Sequence, residues 1–79
     1  MGLAASEKEL AEKAARFLKA ELKRANVTYE ELAKRLEDHG LTETKASIAN
    51  KLSRGTVAAT FFLATLAALE MEGMTLADL

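Results

Sequence analysis

The sequence predicts an all-α protein of four helices followed by a short C-terminal helical turn. Two observations point to this fold class: the 79 residues contain no proline and sixteen alanines. Alanine is the best helix former and proline the worst, and strands favour neither. The chain is short enough for one domain, so we assign residues 1–79 to a single helical domain.

The first predicted helix begins at Ser6. Ser6 and Glu9 have the spacing of a capping box, in which each side chain accepts a hydrogen bond from the other residue's backbone N–H. Ala5 and Leu10 occupy the positions of the hydrophobic staple that flanks such a box. Apolar residues then recur at helical spacing, and Asn26, which tolerates the left-handed conformation, ends the helix.

The second predicted helix begins at Thr28. Thr28 and Glu31 form another capping box, and Val27 and Leu32 are the matching staple. Apolar residues continue on one face, and Gly40 ends the helix because glycine adopts the left-handed conformation without steric cost.

The third and fourth helices are also delimited by glycine. The third starts near Thr42 and ends at Gly55, and the fourth runs from about residue 56 to 72 and ends at Gly73. Thr75–Asp78 is a further capping box, which predicts a terminal helical turn.

The fourth helix has no charged residue along most of its length. Helical spacing places Phe62, Leu66 and Leu69 on one face, which we assign to the core. A helix that is apolar all round is normally buried all round, and a small domain can hardly surround it. We therefore expect a homodimer in which a second copy covers the other apolar positions. The alternative is that the long first helix packs over this face within one chain. The predicted interface is Val57, Phe61, Ala64, Ala68 and Met71.

Composition excludes several function classes. Without cysteine and with one histidine, His39, the chain offers no thiolate chemistry and no His-rich metal site. The carboxylates fall at helix caps or on solvated faces, so we expect no enzyme, no metal, no cofactor and no small-molecule substrate. The longest uncharged run, Gly55–Leu69, is shorter than the ~20 residues that span a bilayer. We expect a cytoplasmic protein without a membrane segment.

The second and third helices have the arrangement of a helix-turn-helix over residues 28–55. With Ile48 and Leu52 directed inward, the third helix presents polar residues outward. Residues 41–56 contain three cationic side chains and one carboxylate, whereas the charged side chains of residues 57–79 are all carboxylates. Asn suits an adenine edge, and Lys or Arg suits guanine or phosphate. The same residue types cover any solvated helix, so a generic helical bundle remains an equal alternative on composition alone. The outward positions are Glu43, Ala46, Ser47, Asn50 and Arg54.

Three segments carry a resemblance to known domains. EELAKRL (Glu30–Leu36), SIANKLSRG (Ser47–Gly55) and MTLADL (Met74–Leu79) together resemble a lambda-repressor-like helix-turn-helix domain. Its characteristic positions are a small residue in the first motif helix, here Ala33, aliphatic anchors in the recognition helix and a following glycine.

A closer similarity covers roughly residues 17–69. ELKRANVTYEELAKRL together with NKLSRGTVAATFFL is similar to a small bacterial family of unknown function. One feature departs from the lambda-repressor-like pattern: Leu36 and Ile48 are twelve residues apart, so the turn over residues 37–44 is lengthened.

The resemblance implies a DNA-binding module, a small transcriptional regulator that binds double-stranded DNA as a homodimer. The alternative is a helical protein–protein interaction module on the same fold without DNA binding, which the acidic pI of about 5.8 and the lengthened turn favour. Bases would be contacted by Lys45, Ala46 and Asn50, and phosphates by Thr28, Tyr29, Ser53 and Arg54. Thr44, Ser47 and Lys51 complete the predicted DNA surface.

Overall fold

The computed structural model describes residues 6–79, which form four α-helices and one 3-10 helix. No strand occurs within this range, which confirms the all-α prediction. The four helices are followed by a single 3-10 turn at the C-terminal end. Their bounds are α1 (Glu7–Ala25), α2 (Tyr29–Glu37), α3 (Lys45–Arg54), α4 (Ala59–Ala68) and the 3-10 helix (Leu76–Asp78).

The ends of α1 are those that the sequence predicts. The Ser6 hydroxyl accepts a hydrogen bond from the Glu9 backbone N–H at 3.2 Å. Asn26 adopts the left-handed conformation with φ 59°, and the following N–H of Val27 bonds to the Leu22 carbonyl at 2.9 Å. The Ala5 half of the predicted staple lies outside the described residues.

The start of α2 has one of the two hydrogen bonds of the predicted capping box. The Thr28 hydroxyl accepts from the Glu31 N–H at 3.1 Å, as predicted. The Glu31 carboxylate, however, accepts from Arg35 Nε at 3.1 Å and thereby joins an ion pair one turn along the helix. After α2 ends, Gly40 is left-handed with φ 80°, which confirms its predicted role in stopping the helix.

The helix α3 begins two residues later than predicted. Its N-cap is Thr44, and Thr44 and Ser47 form a complete capping box that the sequence analysis did not identify. The Ser47 N–H donates to Thr44 Oγ1 at 3.0 Å, and the Thr44 N–H donates to Ser47 Oγ at 2.8 Å. The lengthened turn therefore spans residues 38–44. At the other end Gly55, with φ 71°, stops α3 as expected.

All four helices contribute to one hydrophobic core. The helix α3 packs on both α1 and α2, and α4 packs on the same pair of helices. The largest fully buried apolar side chains are Leu18, Leu32, Leu36, Ile48, Leu52 and Phe61.

The extent of α4 corrects the prediction of a helix from residue 56 to 72. Its last residue is Ala68, and the left-handed residue that follows is Glu70 with φ 59°, rather than Gly73. The Met71 N–H closes the end by bonding to the Leu66 carbonyl at 2.9 Å. An uninterrupted apolar stretch carries no local signal for where a helix begins or ends, which explains the error.

The inward face of α4 is also different from the predicted one. Phe61, Ala64 and Ala68 are buried within the chain, at 2%, 8% and 7% exposure, whereas Phe62 and Leu69 are only half-buried. The assignment of the first three to a dimer interface is therefore corrected, because other parts of the same chain already cover them. The two remaining interface positions, Val57 and Met71, are half-buried against the core.

A side chain of α2 fixes the end of α4. Arg35 Nη1 donates a hydrogen bond to the Ala68 carbonyl at 3.0 Å, and Arg35 Nε donates one to the Glu31 carboxylate. The helix α4 has no side-chain hydrogen bond at its own N-cap, Ala58. Its buried hydroxyl, Thr65, donates to the Phe61 carbonyl one turn back at 2.8 Å.

Candidate nucleic-acid interface

The outer face of α3 is a polar, solvent-exposed surface. Ile48 and Leu52 are fully or almost fully buried, so the opposite side of α3, with Ala46, Asn50 and Arg54, points away from the core. Neither Lys45 nor Arg54 forms an ion pair within residues 6–79. The predicted DNA contacts that lie exposed on this helix are Lys45, Ala46, Asn50, Ser53 and Arg54.

The N-terminal half of α3 is held by a polar cluster made of Glu43, Ser47 and Lys51. The Glu43 side chain is only 9% exposed and accepts hydrogen bonds from the Ser47 hydroxyl, at 2.6 Å, and from the Lys51 ammonium group. Burial disfavours the charged form of Glu43, but the hydrogen bonds from Lys51 and Ser47 and the Lys51 charge outweigh burial. The pKa of Glu43 is therefore lowered from its ordinary value.

The same cluster reaches α4. The Lys51 ammonium group lies 5.2 Å from the centre of the Phe61 ring, within the range of a cation–π interaction. Lys51 thus joins the turn, α3 and α4. The predicted DNA contacts Lys51 and Ser47 are therefore both half-buried and hydrogen-bonded within the chain, and their roles at DNA stay predictions.

Glu43 also lies elsewhere than predicted. The sequence pattern predicts an outward position for this carboxylate, where its charge would repel phosphate. In the structure it is turned inward and its charge is met by Lys51. Glu43 lies in the turn, eight residues before Lys51, so the i,i+3 and i,i+4 pairings of a helix do not predict this pair.

Two further predicted phosphate contacts lie at the start of α2. Thr28 is exposed and its hydroxyl caps the helix, whereas Tyr29 is half-buried and packs against the core. Thr44 occupies the equivalent N-cap position of α3 and is also exposed. The two threonines are therefore accessible at the surface, whereas much of the tyrosine side chain is buried.

An apolar groove lies between α1, α4 and the C-terminal segment. This open groove has a volume of about 460 Å³ and includes all three large hydrophobic side chains that are exposed in the described chain. These are Leu10, Leu63 and Leu76, with exposures of 40%, 62% and 63%. The three leucines come from separate segments of the chain, so no sequence pattern predicts this groove.

The described residues offer no metal site and no membrane helix. Within residues 6–79, no three His, Asp or Glu side chains gather closely enough to hold a metal ion. None of the four helices has the length and apolar character that crossing a bilayer requires.

The fold and surface define a small all-helical domain of four α-helices and a terminal 3-10 turn. The family model for a domain of unknown function (DUF6471) matches residues 2–74, so the chain belongs to this family. This confirms the predicted similarity to a family of unknown function. Comparison with curated proteins and with solved structures found no significant match.

Proposed function

We propose that this domain binds double-stranded DNA through the exposed face of α3. In this proposal α2 and α3 act as a lambda-repressor-like helix-turn-helix with a seven-residue turn, and α3 enters the major groove. The protein would be a small cytoplasmic bacterial transcriptional regulator, and its function would be binding rather than catalysis.

One observation carries the proposal: α3 presents exposed cations at its two ends, with Arg54 one turn after Asn50, while the nearby carboxylate is neutralised. Lys45 and Arg54 stand at the two ends of the helix without ion-pair partners in the described chain. Glu43, the acidic residue nearest to the helix start, is turned inward and paired with Lys51. The outer surface of α3 is therefore positive locally, although the whole chain carries a net charge of −1.

Selection from a random duplex library at low salt tests the proposal. Against the selected duplex, Asn50→Ala should cost ~1–3 kcal/mol and relax preference at one base pair, because an amide can bond both polar atoms of an adenine edge. Arg54→Ala should weaken all duplexes alike and flatten the dependence on salt. Arg24→Ala is the matched control, since it removes the same side chain from the last turn of α1, where it pairs with Glu21.

Binding that is unchanged in both α3 variants, with the helical fold intact, would place the docking surface elsewhere. Failure to enrich any duplex at low salt would refute DNA binding altogether.

The homodimer remains part of the proposal. Two copies of α3 would allow two half-sites to be contacted, as helix-turn-helix dimers do. Sedimentation at micromolar concentration tests the dimer directly, and a monomer at that concentration would refute it. Leu63→Glu in the same experiment shows whether the apolar groove forms the contact.

A second candidate function is a protein–protein interaction module on the same fold. The apolar groove favours it, because three exposed leucines lie together there, and contiguous exposed apolar surface is where partner proteins dock. Salt dependence separates the two functions: phosphate binding weakens steeply with salt, whereas apolar docking does not.

A further inference from the structure

A polar hollow lies where the middle of α1 meets the end of α3. It has a volume of about 300 Å³ and is lined by Arg16 and Lys19 of α1 and by Ser53 of α3. Gly55, which ends α3, lies close to α1 here: a β-carbon at this position would be 3.5 Å from the Glu12 Cγ. The close approach of the two helices brings α1 cations beside the last turn of α3.

The cations of this hollow are available for a ligand. Arg16 and Lys19 are exposed and three residues apart, so they lie on neighbouring parts of one helix face. Neither forms an ion pair within residues 6–79. Glu12 is the one carboxylate that lines the hollow, which leaves an excess of positive charge.

We propose that Arg16 and Lys19 bind a phosphate group of the DNA backbone next to the end of α3. This inference rests on the proposed DNA-binding function and adds α1 to its surface. A ten-residue helix is about 15 Å long and the major groove is about 12 Å wide. A helix that contacts bases from Lys45 to Asn50 therefore meets a phosphate strand by its last turn. Ser53 belongs both to that turn and to the hollow, so the two surfaces are continuous.

The double variant Arg16→Gln/Lys19→Gln gives the test. Because the two cations bind one phosphate group, removing both should make the slope of log K against log salt less negative by about 0.9. At about 0.1 M salt the affinity should fall about five- to ten-fold per lost contact, through the release of fewer counterions. The fall should be equal for the selected duplex and for a scrambled duplex of the same length, because phosphates carry no sequence information.

Lys8→Gln/Lys34→Gln is the matched control. It removes the same charge from two exposed lysines outside the hollow, and it should leave the slope within about 0.5 of the wild-type value. Arg16→Lys should keep most of the affinity, since the charge remains. Circular dichroism and thermal melting establish that each variant is folded.

The outcomes separate the two proposals. If the wild-type protein binds no duplex in a salt-dependent manner, both the proposed function and this inference are wrong. If Arg54→Ala flattens the salt slope and the α1 double variant does not, DNA binding stands and the role of α1 is refuted. A loss confined to the selected duplex would also overturn the inference, because it would mean that the hollow recognises bases.

Discussion

The inward ion pair of Glu43 should contribute measurably to stability. Two hydrogen bonds to a charged group would be worth ~3–6 kcal/mol if their loss were uncompensated. Without Glu43, however, both donors can still find another hydrogen-bond acceptor. The Ser47 hydroxyl lies 3.0 Å from the Thr44 carbonyl, and the Lys51 side chain is 36% exposed and can be hydrated. We therefore expect Glu43→Ala to lower the free energy of unfolding by ~1–3 kcal/mol.

Thermal and chemical denaturation measure this effect. Each 1 kcal/mol lowers the melting temperature by about 4–8 °C in a domain of this size. Glu37→Ala, at an exposed carboxylate on α2, is the control and should change stability by less than ~0.5 kcal/mol. Equal small effects at the two positions would refute the reasoning, because they would show that Glu43 is solvated like any surface glutamate.

The pH dependence of the same pair has a definite sign. The pKa of Glu43 in the folded protein lies below its ordinary value of 4.5, so the unfolded chain binds a proton first as the pH falls. The stability contributed by the charged carboxylate is fully present above 4.5 and is lost as the pH falls through the lowered folded-state pKa. The difference in stability between wild type and Glu43→Gln should shrink over that window, and a difference independent of pH would contradict the assignment.

Three further substitutions test the helix ends and the corrected face of α4. Thr28→Ala should cost ~0.5–2 kcal/mol by removing the hydroxyl that caps α2, whereas Lys34→Ala on its exposed side should be near neutral in urea denaturation. Gly55→Ala should destabilise by ~1–2 kcal/mol because φ is 71°, while Gly73→Ala, which has open space and no such φ, should not; a reversed order would refute the backbone argument. Ala64→Glu should unfold the single chain, since it places a carboxylate in the core, and a folded variant with unchanged melting temperature would contradict the burial found here.

The sequence predicted those parts of the fold that depend on neighbouring residues. The left-handed residues at Asn26, Gly40 and Gly55 and the cap at Thr28 all result from interactions within a few positions of the chain. The lengthened turn before α3 was also predicted, because it required only counting residues between two apolar anchors.

The parts that were missed depend on contacts between distant segments. The helix α4 is apolar on every side, so spacing alone could not show that Phe61 rather than Phe62 is the more buried ring. Lys51 looked like a free cation because its partners lie in the turn and in α4. For the predicted DNA surface, the sequence pattern therefore identifies exposed positions but cannot show that Lys51 is already paired with Glu43.

The hydrogen bond from Arg35 to the Ala68 carbonyl affects how the chain opens as well as how it folds. Because α2 supplies the partner for the end of α4, the last turn of α4 cannot separate from α2 without breaking that bond. The two helices should therefore open as one cooperative unit, and their amide protons should exchange with solvent with similar protection. In Arg35→Leu, the amides near the end of α4 should exchange faster than those of α2, so that the shared opening event divides into two.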